Sequence, residues 1–444
     1  MNQEDFDILT KQNLKNSDND GRAYSIMFGA SEYSFPPFAV FCKMSSQQIG
    51  FLMSLPQFIG NTIQIITSIF LGQSSKRKEW IVFGVTSQAI ALLPLAGASV
   101  FTDNISFGFL LLSFIIYFLC GTSIAPPWFA MMGDIIPESI RGTYLGKRNR
   151  MIGIYTFCAT TLAGVLLFIS KKLDYEKYGF ALLFFIGFIA RMTSSRFLNK
   201  MIDTGPINNN KDELKINFYQ LIKNPANRNY LNFILFFTLT YLAVFIAGPY
   251  FSVYMLKELH YNYIEFTLAN ISVMVSQFLT VATWGKLSDK LGNRFIIISS
   301  GIGIIFVPFL WTISGALWFI ISIQIFAGIC WAGFSLCSTN YIFDSLTPKE
   351  RTLGFSLLLF LIGLTYLGGA SIGGIIADYI ETTPEFFLKK IFGGYNLRPL
   401  FFISSVARLL VLIYFFKRFK ELRIKTEIKL LDFFKNRYWQ FLIK

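Results

Sequence analysis

The chain has 444 residues and a formal net charge of +14, with 53% apolar and only 15% charged residues and a mean hydropathy of +0.51. Soluble globular chains carry about a quarter charged residues. This composition, with its 50 Phe, therefore excludes a string of water-soluble domains and calls for a lipid solvent.

Residues 1–22, MNQEDFDILTKQNLKNSDNDGR, are polar and lack the basic-then-apolar pattern of a cleaved signal peptide, so they read as a solvated cytoplasmic tail. A spanning helix needs about 20 mostly apolar residues. Counting in that unit predicts six spans near 24–41, 48–71, 80–100, 106–131, 151–170 and 179–198, an N-terminal bundle over 23–199. The first is the weakest, because it carries Glu32 and Pro36-Pro37. A polar stretch over 200–229, with Gly205-Pro206 and Asn224-Pro225, reads as a central cytoplasmic loop whose segment LKINFYQLIK is amphipathic. Six further spans follow near 230–256, 263–284, 295–314, 316–342, 353–377 and 398–416, a C-terminal bundle over 230–416. The remainder, 417–444, is a basic amphipathic tail with Phe433, Phe434 and Trp439 among its cations, suited to a membrane surface.

Charge position then tests orientation. With both termini cytoplasmic, 30 of the 40 Lys and Arg fall on the cytoplasmic side, 8 on the other, and Arg191 and Arg408 inside spans. That asymmetry is what the positive-inside rule requires. It also accounts for the basic charge without a nucleic-acid partner. The expected class is an all-α, multi-pass protein of the cytoplasmic (inner) membrane, about twelve helices in two pseudo-symmetric six-helix bundles.

The bundles repeat each other. Leu183-Phe184-Phe185-Ile186 with Arg191 matches Leu400-Phe401-Phe402-Ile403 with Arg408 at a shift of 217. Asp134, Pro137 and Arg141 match Asp344, Pro348 and Arg351, acid and base seven apart in both. Gly72 with Lys76-Arg77-Lys78 parallels Gly285 with Lys290 and Arg294. Parallel halves with a substrate between them are a recognised transporter plan. In GKLSDKLGNR, between spans eight and nine, Gly285, Leu287, Asp289, Gly292 and Arg294 resemble the signature of the major facilitator superfamily. Asn293 stands where that signature has a base, and the first-half copy, LGQSSKRKEW, has Lys76 where the acid belongs. The resemblance implies a secondary carrier working by alternating access, with a small-molecule substrate and no cofactor.

Pro36-Pro37, Pro126-Pro127 and Gly248-Pro249 interrupt spans one, four and seven, each of which leads a three-helix unit. Non-helical backbone at membrane depth survives where it is buried or lines a cavity, although an ordinary kink gives the same pattern. Glu32 is the sharpest candidate. A carboxylate in a span is costly unless paired, solvated or protonated, and the resemblance implies proton coupling for an acid in the first helix. Substrate contact and a purely structural hydrogen bond are the alternatives. Further polar or aromatic candidates for a cavity wall are Tyr33, Gln57, Asn61, Tyr155, Tyr241, Asn270, Gln277, Trp331, Asn340 and Tyr366, a set that tilts toward a neutral or amphipathic solute. Asp134, Arg141, Asp344 and Arg351 are candidates for a cytoplasmic latch or for plain helix capping. Arg191 and Arg408 read as braces.

Other classes leave less trace. An intramembrane enzyme would need His, Ser/Lys or paired acids at membrane depth, and no such set occurs. The single His260 and five scattered cysteines without a CxxC pair give no metal site. No G-x-x-x-x-G-K-[ST] loop is present for nucleotide-driven transport. A transporter-derived sensor or a channel-like protein stays open.

Overall fold

The structure is a computed structural model that describes residues 3–71, 76–101, 105–203, 218–383 and 386–422. The predicted basic tail beyond 422 and residues 204–217 of the central loop lie outside the described residues. Among those described, eleven helices are long and apolar enough to cross a membrane.

Contacts divide the chain into two units. The first is built from α1 (Gln3–Ala30), α2 (Phe35–Phe41), α3 (Ser46–Leu71), α4 (Arg77–Ile90), α5 (Leu92–Val100), α6 (Phe107–Ser123), α7 (Ala125–Ile135), α8 (Glu138–Lys172) and α9 (Glu176–Lys200). It also takes in Pro249–Thr267, which holds α12 (Tyr250–Val253) and a π-helical turn, Tyr254–Glu258. The second contains α10 (Phe218–Lys223), α11 (Arg228–Ala247), most of α13 (Tyr263–Leu291), α14 (Asn293–Leu310), α15 (Leu317–Ser345), α16 (Pro348–Thr382), α17 (Phe387–Ile391) and α18 (Arg398–Phe415). Residues 249–267, beyond the Gly248-Pro249 break, group by contacts with the first unit.

The same pairing pattern runs in both units. In the first, α1 packs on α8 and α9, and α4 on α9; in the second, α11 packs on α16 and α18, and α14 on α18. Phenylalanines fill both interiors. Phe35 meets Phe114 at a centroid distance of 4.4 Å and Tyr117 at 5.1 Å, and Phe38 meets Phe184 at 5.0 Å. Phe233, Phe236, Tyr341 and Phe419 form the corresponding cluster of the second unit. Such ring pairs add about 0.5–1.5 kcal/mol each beyond their buried area.

Two expectations are corrected here. Most of the predicted solvated tail is helical from Gln3 onward, and Asn13, Asn16, Ser17 and Asp20 are buried within the first unit. Partners explain the burial of Asn13 and Asp20. Asn13 exchanges two hydrogen bonds with the Ile202 backbone, both 2.9 Å, and Asp20 is ion-paired. The first span is also not one helix over 24–41: α1 ends at Ala30, a 3-10 turn covers Glu32–Ser34, and α2 follows with Pro36 and Pro37 in its first turn. Proline lacks the N–H needed further inside a helix and is tolerated there.

Candidate functional site

Glu32 sits in the 3-10 turn between α1 and α2, half-buried. Its Oε2 accepts a hydrogen bond from the Tyr117 hydroxyl at 2.9 Å. Tyr117, on α6, is fully buried, and its ring stands edge-on to Phe35 and to Phe118. That box leaves the phenol little freedom, so the hydrogen bond to Glu32 is fixed by packing. Tyr33, next in the chain, places its ring 5.7 Å from Phe266.

Helix α9 runs beside α1 in antiparallel register. Ser31 donates to the Leu183 carbonyl at 3.2 Å and lies over Gly187, where an added Cβ would stand 1.8 Å from the serine oxygen. Only glycine permits this approach. Further down, Arg191 lies 5.2 Å from the Tyr24 ring centroid, and Ser194 donates to Asp20 Oδ1 at 2.7 Å. Arg191 itself donates to Gln88 Oε1 at 2.7 Å and Ser194 Oγ at 3.1 Å. Asp20 is neutralised by Arg148 of α8 at 3.0 Å, whose guanidinium stacks 4.5 Å from the Trp128 ring. Buried charges persist when paired and hydrogen-bonded; Asp20 and Arg148 meet both conditions, and Arg191 is hydrogen-bonded to neutral side chains.

A second ion-pair site lies where α4 begins. Arg77, 1% exposed, forks onto both oxygens of Asp203 at 2.8 and 2.6 Å and reaches Asp134 at 2.6 Å. The matching place in the second unit holds Asn293, which donates to Asp344 at 2.8 Å while its buried Oδ1 accepts nothing among the described residues. Arg294 then ties α14 to the end of α18, bonding Glu421 through its backbone N–H at 2.7 Å and the Phe419 and Phe416 carbonyls through its guanidinium at 2.8 and 2.7 Å. Gly292 heads α14 at φ +85°, a conformation that suits glycine. Asp289 is exposed and, with Gly285, Asn340 and Asp344, lines a cavity of about 260 Å³.

Arg141 and Arg351 bond backbone rather than the acids seven residues before them. Arg141 donates to the Gly133 and Ile136 carbonyls at 2.9 and 3.3 Å, Arg351 to Phe343 at 3.0 Å. Each caps the carbonyl end of the preceding helix, a favourable place for a cation.

The aromatic candidates of the second unit converge. Tyr241 lies 5.7 Å from Trp331 and 5.5 Å from Phe245, which meets Tyr366 at 4.4 Å. Gln57, Asn61, Asn270 and Gln277 are half-buried on α3 and α13, whereas Tyr155 is exposed beside Arg22. Pro126-Pro127 and Pro249 open α7 and α12 just after breaks in their spans. Asp20, Arg77, Gln88, Tyr117, Arg148, Ser194 and Asp203 were not singled out by the sequence reading.

A sequence model of the Major Facilitator Superfamily matches residues 23–226 and 233–443. The chain belongs to that superfamily. Among solved superfamily structures it resembles the nucleoside transporter NupG (TM-score 0.67, 14% identity, covering 93% of this chain and 100% of the other) and the xylose transporter XylE of E. coli (0.63, 13%, 95% and 98%). At such identities the likeness shows the fold alone. A probable peptide/nitrate transporter of Arabidopsis thaliana is 28% identical over 136 residues, and the class D tetracycline resistance protein of Salmonella ordonez 30% over 146. Those alignments take in 30% and 33% of this chain, and only 27% and 36% of the relatives' own lengths. As a superfamily member with these helices, the protein is a multi-pass membrane protein of a transporter family.

Proposed function

We propose that the protein is a secondary active carrier that moves a small neutral or amphipathic solute across the cytoplasmic membrane, with Glu32 as its proton-linked group. The observation that carries this reading is the acid at the α1–α2 break, held by a packed phenol at 2.9 Å. A phenol both donates and accepts. Tyr117 can donate to the ionised carboxylate and accept from the protonated one, so one geometry serves both states. The aromatic wall of Tyr241, Trp331 and Tyr366 supplies apolar faces with hydroxyl and indole handles, suited to a solute without strong charge. Alternating access would carry that solute from one face of the membrane to the other, with both termini cytoplasmic by the Lys and Arg count.

The test uses full-length protein in proteoliposomes, after a thermal-shift screen of sugars, amino acids, peptides, nucleosides and drugs has found a solute. Glu32→Gln keeps the hydrogen-bonding shape without a titratable proton. It should abolish accumulation driven by a pH gradient while counterflow exchange continues. Uphill accumulation by the glutamine variant would remove Glu32 from the coupling role.

A further inference from the structure

The shift of 217 that pairs Arg191 with Arg408 also pairs Ser87 with Ile304, Gln88 with Ile305 and Ala91 with Pro308. In the first unit the Ala91 N–H donates to the Ser87 carbonyl at 3.0 Å, and Arg191 donates to the Gln88 side chain at 2.7 Å. The second unit has neither feature. Pro308 stands inside α14 and has no N–H, so the Ile304 carbonyl four residues earlier lacks its partner in the helical ladder. Ile305 offers no side-chain acceptor where the first unit has Gln88.

Arg408, on α18, takes the carbonyl that Pro308 leaves. Its Nη1 donates to the Ile304 oxygen at 2.8 Å, and Ser405 donates to the Ile305 carbonyl at 2.8 Å. On the side facing α11, Ser404 donates to the Ala243 carbonyl at 2.6 Å, and Arg408 reaches the Val244 carbonyl at 3.5 Å. Arg408 is 3% exposed. Among the described residues its Nε has no hydrogen-bond partner, and no carboxylate pairs with it. A buried carbonyl without a donor is costly, and so is a buried guanidinium without acceptors. Each meets the need of the other here. Neighbouring helices can satisfy the backbone that a proline frees inside a membrane, and in this unit the donor comes from 104 residues further along the chain. At this one level α14 is closed from α18 and not from within itself.

We propose that Arg408 serves as the donor that Pro308 lacks, making the C-terminal turn of α14 a hinge whose closure is set by α18. A bond made by a side chain is released by a small shift of the neighbouring helix, with no helix unwound. The proposal is independent of the role of Glu32, and its test needs no substrate. Full-length protein in micelles is followed by hydrogen exchange and mass spectrometry, reading peptides over residues 305–314, with residues 85–96 of the first unit as the internal reference. Arg408→Met should speed exchange of the Phe309, Leu310, Trp311 and Thr312 amides by about tenfold, the order expected for one lost charge-assisted hydrogen bond, and leave the reference unmoved. Pro308→Ala supplies the missing N–H, so the double variant Pro308→Ala/Arg408→Met should exchange as slowly as wild type. Arg408→Lys keeps one donor and should fall between, and Arg191→Met should leave residues 305–314 unchanged. If Arg408→Met alone does not fold, recovery of the fold in the double variant supports the proposal. Unchanged exchange in a folded Arg408→Met protein, exchange in the double variant as fast as in the single one, an equal rise in Arg191→Met, or failure of the double variant to fold overturns it.

Discussion

Arg77 is the buried residue whose loss should cost the first unit most. Replacing it by Gln removes three charge-assisted hydrogen bonds, at 2.6, 2.6 and 2.8 Å, and takes this cation from two acids. Breaking a buried pair by deleting one partner costs about 3–5 kcal/mol, whereas exposed pairs are worth about 0–1. Arg77 is 1% exposed but Asp134 is 25% and Asp203 10% exposed, so both acids keep some access to water. The expected loss for Arg77→Gln is therefore intermediate, about 2–3 kcal/mol. Asp203 takes two of the three bonds, so Asp203→Asn should cost more than Asp134→Asn. Arg77→Lys should recover only part of the loss, because a point charge cannot hold a forked pair and a second acid together. The assay is equilibrium unfolding in mixed micelles followed by tryptophan fluorescence, with a double-mutant cycle between Arg77→Gln and Asp203→Asn. A single-variant loss below about 0.5 kcal/mol, or strictly additive losses, would refute the argument.

Gly292→Ala forces an alanine into φ +85°, ψ 156° and sets its Cβ 2.5 Å from the Glu421 carboxylate; the expected loss is about 1–3 kcal/mol, read as a lower midpoint of thermal unfolding. Glu350 lies before the eleventh span and closes a capping box with Thr347, accepting from the Thr347 hydroxyl at 2.6 Å and from Asn227 at 2.9 Å. Burial alone would push its pKa up, but these hydrogen bonds outweigh burial and hold it below the usual 4.5. Its stabilisation is thus present above about pH 4.5 and lost as pH falls through the lowered value. Glu350→Gln should lose about 1 kcal/mol at neutral pH and show a shallower decline of stability on the acid side. An unchanged acid limb in the stability–pH profile would contradict that assignment.

Hydropathy and the repeat were enough to read most of the fold, because spans of lipid-facing apolar residues announce themselves one residue at a time. Helix α1 did not, since its buried stripe is polar. Asn13, Ser17, Asp20, Tyr24, Met27 and Ser31 are spaced four, three, four, three and four apart, a helical period that a count of apolar residues passes over. The signal was present in the spacing rather than in the composition. Arg77 was hidden differently. In sequence it is the middle of a basic run, and nothing local separates a buried guanidinium from the lysines beside it. Its acids lie 57 and 126 residues away, so only the fold brings them together. Glu32 was legible because an acid in a span is conspicuous by cost. Its phenol on α6, 85 residues on, was one tyrosine among 20. The positive φ of Gly292 was readable from the motif, and the capping roles of Arg141 and Arg351 stood as one of two alternatives.

The polar stripe of α1 has a consequence for how the chain is made. Asp20 finds its cation 128 residues downstream and its serine donor 174 residues downstream. At about 5–20 residues per second of synthesis, the first helix leaves the ribosome roughly 10–35 s before the last of these partners exists. It is too polar to settle in lipid alone. During biogenesis α1 must therefore wait in water, or in the insertion machinery, and be drawn into place by α8 and α9. Helix α1 is seated in the first unit only after the later-made α8 and α9 are present.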